Sequence, residues 1–300
     1  MLLVSVFRSK SASWRWWVFQ YLGLSAIGFT AAICALILSL FLDNRTAGQI
    51  AVVLFVEFYA FALYAAHRIH LAPLEISSPK LNKAQRLVQI SDVHIGSRRP
   101  EFLKKVMALV AAQKPDVLVI TGDLVDENVL TESLAPLAGL DYPVLYCSGN
   151  HERYVDYQNV LDAISAQGVT VLGDSAISIG DLHILGVDDR QHVSDARQAL
   201  NTLCASTEST NAPFRILLYH QPDLWATAID HGIDLTLSGH THKGQIWPFG
   251  WLVRTRYQHV AGHFRSACSH LFVSQGTGTW GPILRFGTRC EITVIELKPE

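Results

Sequence analysis

The sequence predicts a layered α/β sandwich behind an N-terminal pair of membrane-length helices. Three observations carry that prediction. A long uncharged apolar stretch lies near the start, short apolar runs later alternate with helical patterns, and Asp, His and Asn residues recur where most of those runs end. The chain has 300 residues, 49% of them hydrophobic, which together with a positive mean hydropathy exceeds an ordinary soluble chain.

The excess of apolar residues sits at the N-terminus. From Val18 to Leu42 the sequence VFQYLGLSAIGFTAAICALILSLFL carries no charge. A helix of that length crosses a hydrocarbon core of about 30 Å at about 1.5 Å per residue. After the polar turn Asp43-Asn44-Arg45-Thr46 comes a second apolar segment, Ile50 to Ala66, broken only by Glu57. This one is shorter and carries an acid, so an interfacial helix competes with a span. A two-helix hairpin is favoured, because it can shield Glu57 against its partner helix. A cleaved signal peptide fits less well, since the apolar stretch is too long and no small-residue cleavage pattern ends it.

Cations give an expected orientation. Arg8, Lys10 and Arg15 precede the first segment, only Arg45 lies in the turn, and Arg68, Lys80, Lys83 and Arg86 follow the second. Both flanks therefore read as cytoplasmic, on an inner cell membrane, with Trp14, Trp16, Trp17 and Tyr21 as an aromatic belt. His67 and His70 would mark the membrane exit. The expected organisation is a hairpin over 1–71, a Pro- and Ser-bearing linker over 72–84 and a catalytic domain over 85–300. Five cysteines, Cys34, Cys147, Cys204, Cys268 and Cys290, form neither a paired framework nor a CxxC clip. A net charge of -2 gives no basic field for nucleic acid.

Beyond residue 85 the strands read from apolar runs bounded by turn residues: Arg86 to Ile90, Val117 to Thr121, Val144 to Cys147, Leu182 to Val187, Arg215 to Tyr219, Leu235 to Ser238, His270 to Val273 and Ile292 to Leu297. Helical patterns cover Glu101 to Gln113 and Tyr157 to Gln167. The front half alternates strand and helix, which implies parallel sheet, and the back half is strand-rich. A Ser/Thr/Asn-rich loop is expected from Asn201 to Asn211.

Five short stretches then stand out: Asp92-Val-His94, Gly122-Asp123, Gly149-Asn150-His151, His220 and Gly239-His240-Thr241-His242. Carboxylate and imidazole donors with an amide oxygen suit divalent Mn, Fe or Zn rather than a thiolate-held structural zinc. One ion would be over-coordinated by seven donors, whereas two ions about 3.5 to 4 Å apart use them sensibly. Asp123 is the best bridge, because it follows the hydrophobic strand VLVIT and Gly122 lets the backbone turn tightly before it. Asp92 and His94 alternate around Val93, as do His240 and His242 around Thr241, so an extended backbone would point each pair to one side. Taken singly, His220 is more often a satisfied core residue and Asp123 a turn cap. Jointly, convergent ligands are what metal sites need and cores do not.

These stretches resemble the calcineurin-like metallophosphoesterases, through Asp92-x-His94, Gly122-Asp123, Gly149-Asn150-His151-Glu152, His220 and Gly239-His240-x-His242. The resemblance runs from about Arg86 to the C-terminus. It implies a four-layer αββα sandwich with a dinuclear centre at the strand ends. One metal would take Asp92, His94, Asp123 and His242, and the second Asp123, Asn150, His220 and His240. His151 would be left to stabilise the phosphoryl transition state or protonate the leaving oxygen, while the two cations lower the pKa of a shared water.

A finer likeness, through His220-Gln221-Pro222-Asp223, Gly276 to Pro282 and Arg285-Phe286-Gly287, points to a membrane-attached bacterial branch. Members of that branch hydrolyse phosphodiesters or a lipid-linked nucleotide-sugar diphosphate. The expected partners are thus a phosphorylated small molecule or lipid-linked substrate, and the membrane. A metal-dependent protein phosphatase is the alternative, and a non-catalytic metal-binding scaffold a further one. The sequence departs from such relatives at Lys243, which stands where they usually read Gly. It either meets substrate phosphate or faces solvent. Arg254, Arg256, Arg265 and Arg285 are further phosphate candidates, though surface arginines commonly face water. Asp188 and Asp189 read as a polar turn, and His259 and His263 lack a partner pair for a zinc site.

Overall fold

The structure, a computed structural model, describes residues 12–127, 131–206 and 213–300. Arg8 and Lys10 lie outside the described residues. Helix α1 (Ala12–Leu38) and helix α2 (Asn44–His67) pair antiparallel. Both are long and apolar enough to cross a membrane. The first stops at Leu38, four residues short of the expected Leu42. The reversal is then set by Asp43, whose carboxylate accepts from the amides of Arg45 and Thr46 at 3.1 and 3.0 Å and so caps α2. Glu57 is exposed on the outer face of α2, so the partner helix does not shield it as expected.

Strand β1 (Ile69–Ser77) runs straight out of α2. It is followed by β2 (Gln85–Ile90), α3 (Pro100–Ala112), β3 (Val117–Thr121), β4 (Val144–Cys147), α4 (Tyr157–Ser165), β5 (Thr170–Val171), β6 (Ser175–Ile179) and β7 (Leu182–Gly186). After these come α5 (Val193–Ser206), β8 (Phe214–Leu218), α6 (Trp225–Asp230), β9 (Leu235–Ser238), α7 (Gly250–Arg256), β10 (Gly262–Ser266), β11 (Ser269–Val273) and β12 (Cys290–Lys298). Two six-stranded sheets result, ordered β1-β12-β2-β3-β4-β5 and β10-β11-β9-β8-β7-β6.

Their packing gives the four expected layers. Side chains of α3 and α4, such as Val106 and Ile164, cover one face of the first sheet. Leu87, Val119 and Leu145 on its other face meet Ile184, Ile216 and Leu237 of the second sheet. Leu200 and Trp225, from α5 and α6, cover that sheet's outer face at Leu217 and Leu271. The inner strands are therefore buried on both sides, which is why VLVIT reads as an unbroken apolar run.

Two expectations need correction. The stretch 72–84 is not a linker, because residues 72–77 belong to β1, which pairs in parallel with β12 from Ile69↔Cys290 to Ser77↔Lys298. Lys80 then binds Asp234 at 2.8 Å and Leu81 is buried between the sheets. The period-2 burial of Ala72, Leu74 and Ile76 was legible, but Pro73 masked it. Secondly, Asn201 to Ser206 is not loop but the end of α5, with Ala196, Leu200, Leu203 and Cys204 on its buried face. The rest of that stretch, 207–212, lies outside the described residues.

Candidate metal centre

The ligand candidates meet where the two sheets present their strand ends. Asp92 and His94 follow β2, Asp123 follows β3, Asn150 and His151 follow β4, His220 follows β8, and His240 and His242 follow β9. Three overlapping groups put their donor atoms within 4.8 Å of one another: Asp92, His94 and His242; His94, Asp123 and His151; and Asp123, His220 and His240. Asp123 and His94 each belong to two of the groups.

The pairs come together by a different route from simple alternation. Asp92, His94, Asp123, His240 and His242 all have positive φ, between 47° and 71°, so no extended segment presents them. Each is a left-handed turn residue held by its surroundings, a strain that such crowded sites tolerate. Gly122, at φ 79°, has no room for a side chain, because a Cβ there would lie 2.7 Å from Gly149 and from His220 Nδ1. At Gly239 a Cβ would lie 2.2 Å from Asp92 Oδ2.

Hydrogen bonds fix which ring nitrogen faces inward. His220 donates from Nδ1 to the Thr121 carbonyl at 2.8 Å, which turns its Nε2 toward Asp123 Oδ2 at 3.2 Å. The single hydroxyl proton of Tyr257 goes to Gln221 Oε1 at 2.8 Å. His240 therefore donates from Nε2 to that hydroxyl oxygen, also at 2.8 Å, leaving Nδ1 facing His220 Nε2 at 3.2 Å. His94 donates from Nδ1 to Asp126 Oδ1 at 2.5 Å, and its Nε2 lies 3.0 Å from His242 Nε2.

Facing imidazole nitrogens beside carboxylates suit a divalent cation. Asn150 adds a buried side-chain oxygen with no hydrogen-bond partner among the described residues, a donor that an incoming cation would satisfy. The residues present thus fit the two expected ions.

Electrostatics divide the donor set: burial would lower His220, yet the carboxylates of Asp123 and Asp92 raise it well above the usual imidazole range. Burial pushes Asp92 upward, yet the imidazoles of His242, His220 and His94 hold its carboxyl well below the usual range. For Asp123 burial is likewise outweighed, chiefly by His220 and His151, and the group stays ionised. Burial drives His240 down to about 3, aided by His220, and brings His242 down to about 4. For His151 burial is overcome by Asp123 and Asp126, which raise it to about 9.

Asp126 escaped the sequence reading, and Glu152, Asp189 and Arg285 take roles that it did not give them. Asp126 holds both His94 and His151, the latter at 2.7 Å, and accepts from Ser97. Glu152 accepts from the amides of Asp123, Leu124, Val125 and Gly149, tying two ligand loops together. Asp189 is buried and binds Gln221 and Arg153, so it is more than a polar turn. Arg285 is fully buried. It donates to the carbonyls of His242 and Gly278 and lies 3.0 Å from His242 Nδ1, and has no surface role. His263 contacts His270 at 2.8 Å and, with His259, joins no metal-type cluster among the described residues.

Residues 85–244 match the family model of calcineurin-like phosphoesterases. Over 74% of its length the chain is 33% identical to an uncharacterized metallophosphoesterase of Helicobacter pylori strain J99 and covers 62% of it, less than two thirds of that relative. An uncharacterized metallophosphoesterase of Aquifex aeolicus is 32% identical over 74% of the chain and is covered to 89%. A transmembrane protein with metallophosphoesterase domain from Danio rerio is 32% identical over 75% of the chain, which covers 56% of it.

Proposed function

The chain belongs to the calcineurin-like phosphoesterases, and from that premise we propose that it is a membrane-tethered, dinuclear-metal phosphodiesterase or pyrophosphatase whose substrate is lipid-linked. The observation that carries the reading is the pair of inward-facing imidazole sets, His94 with His242 and His220 with His240, meeting across Asp123. Asp92, His94, Asp123 and His242 would hold one cation, and Asp123, Asn150, His220 and His240 the other, in keeping with the donor chemistry of Mn, Fe or Zn. Bound there, the two cations supply positive charge to the phosphate oxygens and acidify water.

The chain's own contribution is placement and a proton. His151 is anchored through its backbone amide to Asp123 Oδ1 at 2.8 Å and through Nδ1 to Asp126. Its Nε2 points back toward Asp123 at 3.8 Å. The two carboxylates keep the ring protonated at neutral pH, so Nε2–H is placed to meet charge on the leaving oxygen or to protonate it. Trp280 stands on one side, its ring 5.9 Å from that of His151.

The two membrane-length helices and the transmembrane relative support tethering. A cytoplasmic catalytic domain fits Arg68 and Lys83 after the hairpin, although Lys80 and Arg86 are engaged by Asp234 and Glu296. A reporter active only in the periplasm, fused at the C-terminus, should stay silent, and a strong signal would reverse the orientation. For the reaction, the test is metal-dependent turnover of bis(p-nitrophenyl) phosphate against p-nitrophenyl phosphate. Faster turnover of the monoester would favour a protein phosphatase, and turnover of neither despite bound metal a scaffold.

A further inference from the structure

The catalytic domain grips the hairpin part-way along its length. Ile27 and Ala62 are fully buried in one cluster with Ile246 and Leu284, and the ring of Phe286 lies 5.0 Å from that of Phe58. Beyond this grip α1 rises only about 17 Å from Ile27 to Leu38, and α2 about 21 Å from Asn44 to Phe58. Neither length crosses a core of about 30 Å. Measured from the exposed aromatics Trp17 and Tyr64, the helices reach about 32 and 30 Å. A full crossing therefore draws the gripping loops into the near leaflet.

The alternative register leaves those loops at the headgroups and strands the hairpin tip in the acyl region. That buries Asp43 and Arg45, two charges that the acyl region disfavours, against the single Glu57 of the crossing register. In both registers the gripping face of the domain meets lipid.

Helix α7 extends that face. The Trp247 amide donates to the Phe286 carbonyl at 2.9 Å, and its ring stands edge-on to Trp251 at 5.5 Å. No residue of α7 is buried. Phe249 is 55% exposed, Trp251 66% and Leu252 59%, a share of apolar surface that water does not favour, while the exposed Arg254 follows one turn on. This is the pattern of a helix lying in a membrane interface.

We infer that α7 lies in the leaflet that holds the hairpin, with Trp251 and Leu252 among the acyl chains and Arg254 at anionic headgroups. The inference rests on the membrane-tethered reading and extends it to the substrate. Trp280 touches both Phe19 of α1, at 5.5 Å, and His151, so the mouth of the metal centre opens at headgroup depth. The substrate class that geometry selects is a phosphoester in a lipid headgroup, taken without lifting the lipid from the bilayer.

The test uses full-length protein with Cys34→Ala and Cys268→Ser, reconstituted in nanodiscs of phosphatidylcholine and phosphatidylglycerol. An environment-sensitive fluorophore is placed through Leu252→Cys and, as a reference in the hairpin, through Leu36→Cys. Acyl-brominated phosphatidylcholine should quench both positions to a comparable extent. Quenching at 36 alone would overturn the α7 interface while leaving the tether intact. Quenching at neither would remove the tether and the inference together. A blue-shifted but unquenched signal at 252, with quenching at 36, marks a second copy of the chain on this face and also overturns the proposal.

Discussion

The two halves of the candidate metal centre are built on opposite principles. Around Asp92, His94 and His242 the orienting partners are charged, with Asp126 holding His94 and Arg285 lying against His242. Around His220 and His240 they are neutral, a Thr121 carbonyl and the Tyr257 hydroxyl. Charge-assisted bonds are roughly twice as strong as neutral ones. The first half is accordingly held by the stronger bonds, and the second depends more on backbone placement. Asp123 is the member common to both, and its loop is pinned by Glu152.

On that division, the largest effect comes from the shared carboxylate. Asp123→Ala should abolish turnover and lower bound metal at both positions, read by elemental analysis beside the kinetics. His151→Ala should lose turnover while retaining metal, because no expected ligand is removed. Full activity in the His151 variant would end its assigned role, and two tightly bound ions in the Asp123 variant would end the shared-carboxylate design.

Much of this was legible because parallel strands buried on both faces write themselves as apolar runs, and the ligands sit where those runs stop. Val117 to Thr121 and Leu235 to Ser238 were readable to the residue for that reason. What stayed hidden is what local pattern does not encode. The expectation of extended Asp92-x-His94 and His240-x-His242 segments found the right neighbours through the wrong backbone, since left-handed turns leave no periodicity. Asp126 looked like any acid after Asp123, and only the fold brings it to two histidines. Strand β1 was obscured by Pro73, which an edge strand tolerates.

The charged half can be probed next through Asp126→Asn, which keeps shape and removes charge. Activity should fall about 10- to 100-fold, the usual cost of losing an outer partner of a metal ligand. The same change withdraws a carboxylate that stabilises the protonated form of His151, so its pKa must fall. The basic limb of the pH–rate profile should then move to lower pH. A uniform loss with an unmoved profile would show that Asp126 acts through His94 alone. The neutral half should respond less. Tyr257→Phe removes one hydroxyl from His240, worth about 1 kcal/mol or roughly fivefold in rate or metal affinity. A loss as large as that of Asp126→Asn would erase the contrast between the halves.

The smallest expected effect is at Lys243. Its φ of 53° places a side-chain-bearing residue in the left-handed region directly after His242, a conformation that costs about 1–2 kcal/mol outside glycine. Gly244 cannot take over the turn's bulk, because a Cβ there would lie 2.3 Å from Gly250 of α7. Lys243→Gly should therefore stabilise the domain, raising Tm by about 2–4 °C for each kcal/mol gained, less the entropy that glycine adds to the unfolded chain. The half-buried lysine stem leaves its ammonium two possible uses, and kinetics separates them. A solvent-facing lysine leaves KM for bis(p-nitrophenyl) phosphate unchanged in the glycine variant. A phosphate-contacting one raises KM even as the protein becomes more stable, which would make this residue a retained strain kept for binding.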